Sequence, residues 1–495
     1  MTRKSDLFSD LVPAILAAVA AHPHSIAVEY DGQSTSYEEL AELAFTVAGA
    51  IAQVASAATP RVLLALPQGA SAYAGMLGSV VAGGTFCPVN MTGPEKRNAD
   101  ICRAFSPEVV FYKKTPPSFL DALPVTTHSL DIERLGSPRA DTPAKEWSEV
   151  AYVVFTSGST GIPKGVKISR QSFSYFLKVA AECFQLPAGE RWAQFSNLGH
   201  DLGVMDVFMA LTQRGTLVPL KFGERLRPAN AIREKQLSVW QSVPSAIELM
   251  LRGRQMTSAD LASLKVMSFC GEPLLPHQLK ALFDVNPTLT VFNTYGTTET
   301  TGFNTINRLT AENYTASCDA GAVSIGDDVP GWIVGLREDN PDEGEIVVAS
   351  DYLSLGYWHD EAQTRAAFRD VDTGDGVPKR TYFTGDRGVR RGSRLYCSGR
   401  LDRQVKVCGE RIELDEIDGQ LREAGFNAAY TILKNGELYS FVESEEEVNQ
   451  ERVRSHLSVV LPFHSIPKYV QTMTALPRNP NGKIDRGALE KMVPN

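Results

Sequence analysis

The feature that most limits what this chain can fold into is an alternation. From about Ser36 to Val266, helix-like segments alternate with short apolar runs such as Val62-Leu63-Leu64-Ala65-Leu66 and Leu217-Val218-Pro219-Leu220. Runs that short and that apolar suit buried strands, and strands separated by helices pair in parallel. The pattern therefore predicts layered α/β subdomains with largely parallel sheets. Between about Thr310 and Arg400 the texture changes to short strands punctuated by glycine and aspartate. Gly344-Glu345-Ile346-Val347-Val348 and Arg394-Leu395-Tyr396-Cys397 are examples, and they predict a small β-rich subdomain. After Gly399-Arg400-Leu401-Asp402, the run Gln404-Val405-Lys406-Val407 alternates polar and apolar as a half-buried strand does. Gly409 then turns the chain into Arg411-Ile412-Glu413-Leu414, and a helix is predicted from near Asp415, opening a compact α+β tail.

Composition excludes several functions. The 495 residues carry a formal net charge of -9, and no Lys/Arg-rich block is interleaved with aromatics, which argues against nucleic acid as a partner. Cys87, Cys102, Cys183, Cys270, Cys318, Cys397 and Cys408 are scattered without a C-x-x-C pair, a pattern of reduced thiols in a cytoplasmic protein. Thr2-Arg3-Lys4 ahead of the apolar stretch Leu11 to Ala20 imitates a signal peptide. Asp6 and Asp10 interrupt the approach, so an amphipathic opening helix is expected instead. No other apolar run is long enough to insert into a membrane.

Local chemistry begins after the strand-like run Ala151-Tyr152-Val153-Val154-Phe155, with Thr156-Ser157-Gly158-Ser159-Thr160-Gly161-Ile162-Pro163-Lys164-Gly165. Three glycines, four hydroxyl residues and a lysine provide exposed N–H groups, short donors and a cation, as needed to wrap a polyphosphate. A Walker P-loop has glycine before its lysine and Ser or Thr after it; Pro163 and Gly165 stand there instead. Asn293-Thr294-Tyr295-Gly296-Thr297-Thr298-Glu299-Thr300 follows another apolar run. Tyr295 offers a flat face to a base, and Glu299 among hydroxyls suits Mg²⁺ beside phosphates. Tyr382-Phe383-Thr384-Gly385-Asp386 sets a carboxylate after a turn, where it can accept from ribose hydroxyls. Asn481-Gly482-Lys483-Ile484-Asp485-Arg486 is a turn carrying a lysine.

In this order and at these spacings the chain resembles the adenylate-forming superfamily, and within it the amino-acid-activating enzymes. The resemblance extends from Ser36-Tyr37-Glu38-Glu39-Leu40 to Asn481-Gly482-Lys483, through Ala82-Gly83-Gly84-Thr85, Gly399-Arg400-Leu401-Asp402-Arg403-Gln404 and Leu461-Pro462. It implies a core of residues 1–402 and a mobile C-terminal domain of residues 403–495 that carries the catalytic Lys483. It also implies ATP and Mg²⁺ as cosubstrate and metal. Thr156, Ser157, Gly158, Ser159, Thr160, Gly161 and Lys164 would hold the departing phosphates, and Glu299 the metal. Gly271, Glu272, Pro273 and Tyr295 would line adenine within a site including Asn293, Thr294, Gly296, Thr297 and Thr298. Asp386 and Arg400 would lie at the ribose, and Asp402 would be the hinge.

Asn197-Leu198-Gly199-His200-Asp201-Leu202 stands where that family keeps an aromatic residue followed by aspartate. Asp201 would pair with an α-ammonium, and His200, replacing the usual phenylalanine, would gate the carboxylate. The specificity pocket carried across is Asp201, Leu202, Met205, Ser245, Ser268, Cys270, Thr294, Gly302 and Phe303, closed by Lys483. Leu202, Met205, Cys270 and Thr294 look like the D-alanine carrier-protein ligases, which implies a small apolar amino acid. Gly302 replaces the valine expected in those ligases and would enlarge the pocket, with Phe303 refilling it, so L-alanine, glycine, serine and a β-amino acid stay open. The chain stops soon after Lys483, so a stand-alone phosphopantetheinylated carrier protein is the expected partner. Competing readings are an acyl- or aryl-CoA ligase of the same superfamily and a nucleotide-binding regulatory protein that has lost its chemistry.

Overall fold

In the computed structural model of the chain, the described residues are 11–136, 146–156, 163–253, 256–319, 321–337, 342–372, 376–407, 410–444, 447–478 and 484–493. A nine-stranded sheet runs in the spatial order Asp327–Asp328, Thr305–Leu309, Thr290–Tyr295, Val266–Phe269, Val239–Ser242, Arg191–Gln194, Thr216–Pro219, Ile26–Tyr30, Gln33–Ser36. From Thr290–Tyr295 to Ile26–Tyr30 its strands are parallel, as their helical connections require. A six-stranded sheet follows the order His128–Asp131, Val109–Tyr112, Arg61–Ala65, Thr85–Pro88, Val150–Thr156, Lys164–Ser169 and is parallel except for its last pair. The β-rich part is a five-stranded antiparallel sheet of Ile333–Leu336, Glu343–Ala349, Phe368–Asp372, Pro378–Arg391 and Arg394–Arg400.

Helices between the two large sheets are apolar nearly all round, which a helix can be only when it is covered on every side. Asp201–Thr212 buries Gly203 through Leu211, and Ala70–Val81 buries Ala72 through Val80. One apolar cluster thereby joins all three sheets, with Tyr152, Leu217, Phe292 and Val348 among its members. Helix Tyr37–Val54 starts where Ser36 and Glu39 close a capping box: Glu39 N–H donates to Ser36 Oγ at 3.2 Å and Ser36 N–H to the Glu39 carboxylate at 2.7 Å. The apolar stretch near the N-terminus is helical over Leu11–Ala21, with Ile15 and Ala18 buried against neighbouring helices. The described cysteines are free thiols, and no described helix is long and apolar enough to cross a membrane.

Residues beyond 404 build apolar clusters of their own, around Ile417, Leu421, Val442 and Leu457 and around Phe441 and Leu489. Their sheet is Ala429–Lys434, Glu437–Glu443 and Tyr469–Met473, flanked by helices Leu414–Glu423, Gln450–Val460 and Arg486–Met492. The hairpin Gln404–Val407 with Glu410–Glu413 leads into it. Its first strand departs from simple alternation: Gln404 is buried and the next three residues are half-buried. Gln404 bonds the buried Glu413 carboxylate, while Val405 and Val407 lean on the tail core, so both faces of this strand are covered.

Candidate active site

Parallel strands deliver their following loops to one sheet edge, and the candidate residues gather there. Helix Asp201–Thr212 follows the strand Arg191–Gln194, Ser245 follows Val239–Ser242, Gly271-Glu272-Pro273 follows Val266–Phe269, and Gly296 to Glu299 follow Thr290–Tyr295. Adjacent registers, Gln241 beside Ser268 and Phe269 beside Asn293, align these strand ends. The phosphate loop differs in setting from a P-loop. Thr156 pairs with Lys164 across two antiparallel strands, so the loop closes a hairpin where a P-loop would open a helix. Residues 157–162, thus Ser157, Gly158, Ser159, Thr160 and Gly161, lie outside the described residues, as does Lys483.

A cleft of about 330 Å³ opens beside the strand ends, lined by Glu272, Asn293, Tyr295, Asp386, Arg400 and Arg486 among others. Gly271, Pro273 and Thr294 also line it. Asp386, 1% exposed, accepts from the Tyr295 hydroxyl at 2.7 Å and from Arg400 Nη1 at 2.8 Å. Arg400 also grips Asp402 through two bonds of 2.9 and 2.6 Å. Gly385 has φ +70°, and a Cβ there would stand 2.7 Å from Arg400 Nη2, so glycine clears the path of this fork. Glu272 accepts from the Ser245 N–H at 3.0 Å and so caps helix Ser245–Arg252.

Asp201 is the first residue of its helix, with one oxygen accepting from the Leu202 N–H at 2.8 Å and the other from the Thr298 hydroxyl at 2.7 Å. A carboxylate is stabilised there by the helix dipole. Met205, Ser268, Cys270 and Thr294 are buried, and Thr294 donates to the Phe269 carbonyl at 3.0 Å. Burial pushes the Cys270 thiol above its ordinary range, which leaves it a small apolar wall. The room expected beside Gly302 is not open. Gly302 has φ +87°, and a Cβ there would meet the Phe176 ring at 2.5 Å. Phe176, from helix Arg170–Phe184, fills that space and packs edge-to-face on Phe303 with centroids 5.0 Å apart. Phe303 is 3% exposed and belongs to the core, so the expectation of an enlarged pocket at Gly302 is corrected: the missing side chain makes way for a distant ring.

Glu299 is 1% exposed. Its Oε1 accepts from Tyr357 Oη and from Arg411 Nη1, each at 3.0 Å, while Oε2 is buried without a hydrogen-bond partner. Burial pushes this carboxyl up, but Arg411, Tyr357 and Lys164 outweigh it and hold the group below its ordinary value. Three hairpin residues reach the core: Glu410 pairs with His200 at 2.5 Å, Arg411 with Glu299, and Glu413 with Lys164 at 3.9 Å. Lys164 is pushed down by burial first and then by Arg411. Burial favours neutral His200, yet Glu410 reverses this and the imidazole is held above its ordinary value. Sequence reasoning passed over Glu410, Arg411, Glu413, Tyr357 and Phe176 as site neighbours. Only the dense charge of Glu410-Arg411-Ile412-Glu413 beside a turn glycine could have drawn attention to the first three.

Residues on both sides of position 402 line the cleft, with Arg403, Lys406 and Arg486 contributed from the smaller C-terminal part. Residues 16–358 match the family model of AMP-binding enzymes, and the chain belongs to that family. It is 30% identical to the D-alanine–D-alanyl carrier protein ligase of Staphylococcus aureus strain MRSA252 over 98% of this chain and 99% of that protein. Its fold is similar to the Vibrio cholerae adenylation domain AlmE, solved with glycyl-adenosine-5'-phosphate, at TM-score 0.85 and 24% identity over 98% of this chain and 97% of that one. It is also similar to holo-PA1221, a protein of nonribosomal peptide synthesis with adenylation and carrier domains, at TM-score 0.83 and 23% identity, covering 98% and 85%. The chain is thus an AMP-forming ligase.

Proposed function

We propose that this ligase joins a small uncharged amino acid to AMP, releasing pyrophosphate from ATP, and then passes the aminoacyl group to the phosphopantetheine thiol of a separate carrier protein. The observation that carries the reading is Asp201: a carboxylate at a helix N-terminus, beside the buried uncharged walls of Met205, Ser268 and Cys270. Such a group pairs with an α-ammonium, for which a ligase of simple acids has no need. A charged substrate side chain among those walls would be buried unpaired at a cost of several kcal/mol, roughly. Phe176, by filling the room beside Gly302, favours the smallest members of the set, alanine of either hand and glycine over bulkier acids. The name of the Staphylococcus relative supports D-alanine within that set.

The residues suit Mg²⁺: Glu299 keeps a buried oxygen without a hydrogen-bond partner beside a hydroxyl cluster. The metal, when bound, would neutralise phosphate charge. The chain's own residues do the rest. Lys164 and the loop before it steady the leaving phosphates, and Asp386 with Arg400 and Tyr295 orients the nucleoside. His200 flanks the substrate carboxylate. Lys483 stabilises charge at the reacting phosphorus, and its loss is expected to lower adenylation by about two to three orders of magnitude. The core of residues 1–402 and the tail of residues 403–495 would exchange orientations about Asp402 between the two half-reactions.

Amino-acid-dependent ATP–pyrophosphate exchange across D-alanine, L-alanine, glycine, serine and β-alanine tests this. Exchange with at least one of the small amino acids is expected, and loss of it in Asp201→Ala with ATP binding retained. Exchange with none of them, together with acyl-CoA formation from simple acids, would replace the proposal with the CoA-ligase reading.

A further inference from the structure

Two hydrogen bonds among the described residues hold the Asp201 carboxylate, and they differ in what they fix. The one from the Leu202 N–H to Oδ1, at 2.8 Å, is made by the next residue and travels with the helix. The other runs from the Thr298 hydroxyl to Oδ2 at 2.7 Å, between residues 97 apart in sequence. In the nine-stranded sheet, the strands that lead to these two residues, Arg191–Gln194 and Thr290–Tyr295, are separated by Val239–Ser242 and Val266–Phe269. The bond therefore bridges the sheet edge at which Ser268 and Cys270 stand, and joins the two flanks of the proposed amino-acid pocket.

Thr298 is presented by a turn that is itself held. Thr298–Thr300 is a single helical turn, in which the Thr297 N–H donates to Thr300 Oγ1 at 3.0 Å. The Thr300 carbonyl accepts from Asn304 Nδ2 at 3.1 Å and from Trp332 Nε1 at 3.0 Å, and the Glu299 carbonyl accepts from the Ser354 N–H at 2.9 Å. Asn304 and Trp332 are buried, so the turn is bolted to the core. Asp201 is only half-buried, and a carboxylate tied by its local bond alone would keep the freedom to rotate toward water. We infer that Thr298 is a specificity-determining positioning residue: its hydroxyl aims the Asp201 carboxylate at the substrate's ammonium, and so sets how strongly an amino acid is preferred to the same acid without its amino group. The inference rests on the adenylation reading above, and it gives Thr298 a task at the amino group beyond its expected place beside the nucleotide. A carboxylate oxygen accepts more than one bond, so Oδ2 keeps the hydroxyl while it takes the ammonium. Thr298 touches no reacting atom in this role and acts through Asp201. Because it directly precedes Glu299, one turn fixes the ammonium's partner relative to the carboxylate proposed for the metal.

The test is ATP–pyrophosphate exchange by the full chain, with kcat/KM for alanine compared with propionate and for glycine compared with acetate. Thr298→Val, which keeps the shape and removes the hydroxyl, is expected to lower the preference for the amino acid about tenfold, the worth of a hydrogen bond to a charged group. The loss is expected in the KM for the amino acid, with the KM for ATP moving far less. Thr298→Ser, which retains the hydroxyl, is expected to keep the preference of the unaltered protein. Added to Asp201→Ala, Thr298→Val is expected to remove no further preference, because the two residues act as one unit. An unchanged preference in Thr298→Val, a larger rise in the KM for ATP than in that for the amino acid, or a Thr298→Ser variant as impaired as Thr298→Val would overturn the inference and leave the adenylation reading standing. Equal exchange with amino acids and simple acids in the unaltered protein, or exchange with simple acids alone, would overturn both.

Discussion

At the scale of single residues, Gly302 carries the clearest lesson. Its position in the chain suggests spare room beside the substrate, but the room belongs to Phe176, more than a hundred residues earlier in sequence. No periodicity or motif reports such a contact, because it is created only when two helical layers close on each other. The same contact makes a firm prediction. Gly302→Ala forces a side chain at positive φ into a ring 2.5 Å away, which should destabilise the core by about 1–3 kcal/mol. A lowered thermal midpoint would bear this out; an unchanged midpoint would mean that the ring yields without cost. Asp386 is the opposite case. A carboxylate after a Thr-Gly turn was expected at a ribose, and the structure sets it against Tyr295 and Arg400 in the cleft wall.

At the scale of elements, the alternation of strands and helices was enough to anticipate two mostly parallel sheets, because parallel pairing demands a crossover between strands. The antiparallel sheet from Ile333 to Arg400 was legible from its glycine and aspartate punctuation. The placement of the hairpin Gln404–Val407 with Glu410–Glu413 was not. Its contacts are with a different domain and depend on a rigid-body orientation that local sequence does not encode. The hairpin has a consequence for pH. Burial pushes the His200 imidazole down, but Glu410, with Asp201 acting in the same sense and Arg97 opposing, raises it above its ordinary 6.5 and so favours its protonated form. A raised basic group contributes fully below its unfolded value, and that contribution is lost as pH rises through the raised one. Hairpin insertion should therefore be firm at mildly acid pH and weaken toward alkaline pH, by up to about tenfold per unit of the shift. Exchange of the 404–413 amides, corrected for intrinsic rates, is the measurement, and a flat profile or firmer insertion at high pH would refute the role given to this pair. His200→Phe should abolish the dependence.

At the scale of the whole molecule, Asp402 stands just before the strand Gln404–Val407, gripped by Arg400 and accepting from the Gln404 N–H at 3.1 Å. Under the proposed hinge role of Asp402, proline there removes the grip and fixes one dihedral, which would stop the tail from exchanging orientations. Asp402→Pro is expected to keep pyrophosphate exchange within a few-fold, roughly, while thioester formation on a carrier falls below detection. If both half-reactions survive, the hinge lies elsewhere. The ordered motifs raised the expectation of this two-domain logic; Lys483 and the centre of the phosphate loop, on which it also depends, fall outside the described residues. The central claim, that an aspartate selects an amino acid by its ammonium, is met most directly by comparing alanine with propionate in ATP–pyrophosphate exchange. The two acids differ in the amino group alone. The account predicts strong exchange with alanine, little with propionate, and collapse of that preference in Asp201→Ala. Equal exchange with both acids in the unaltered protein would contradict it.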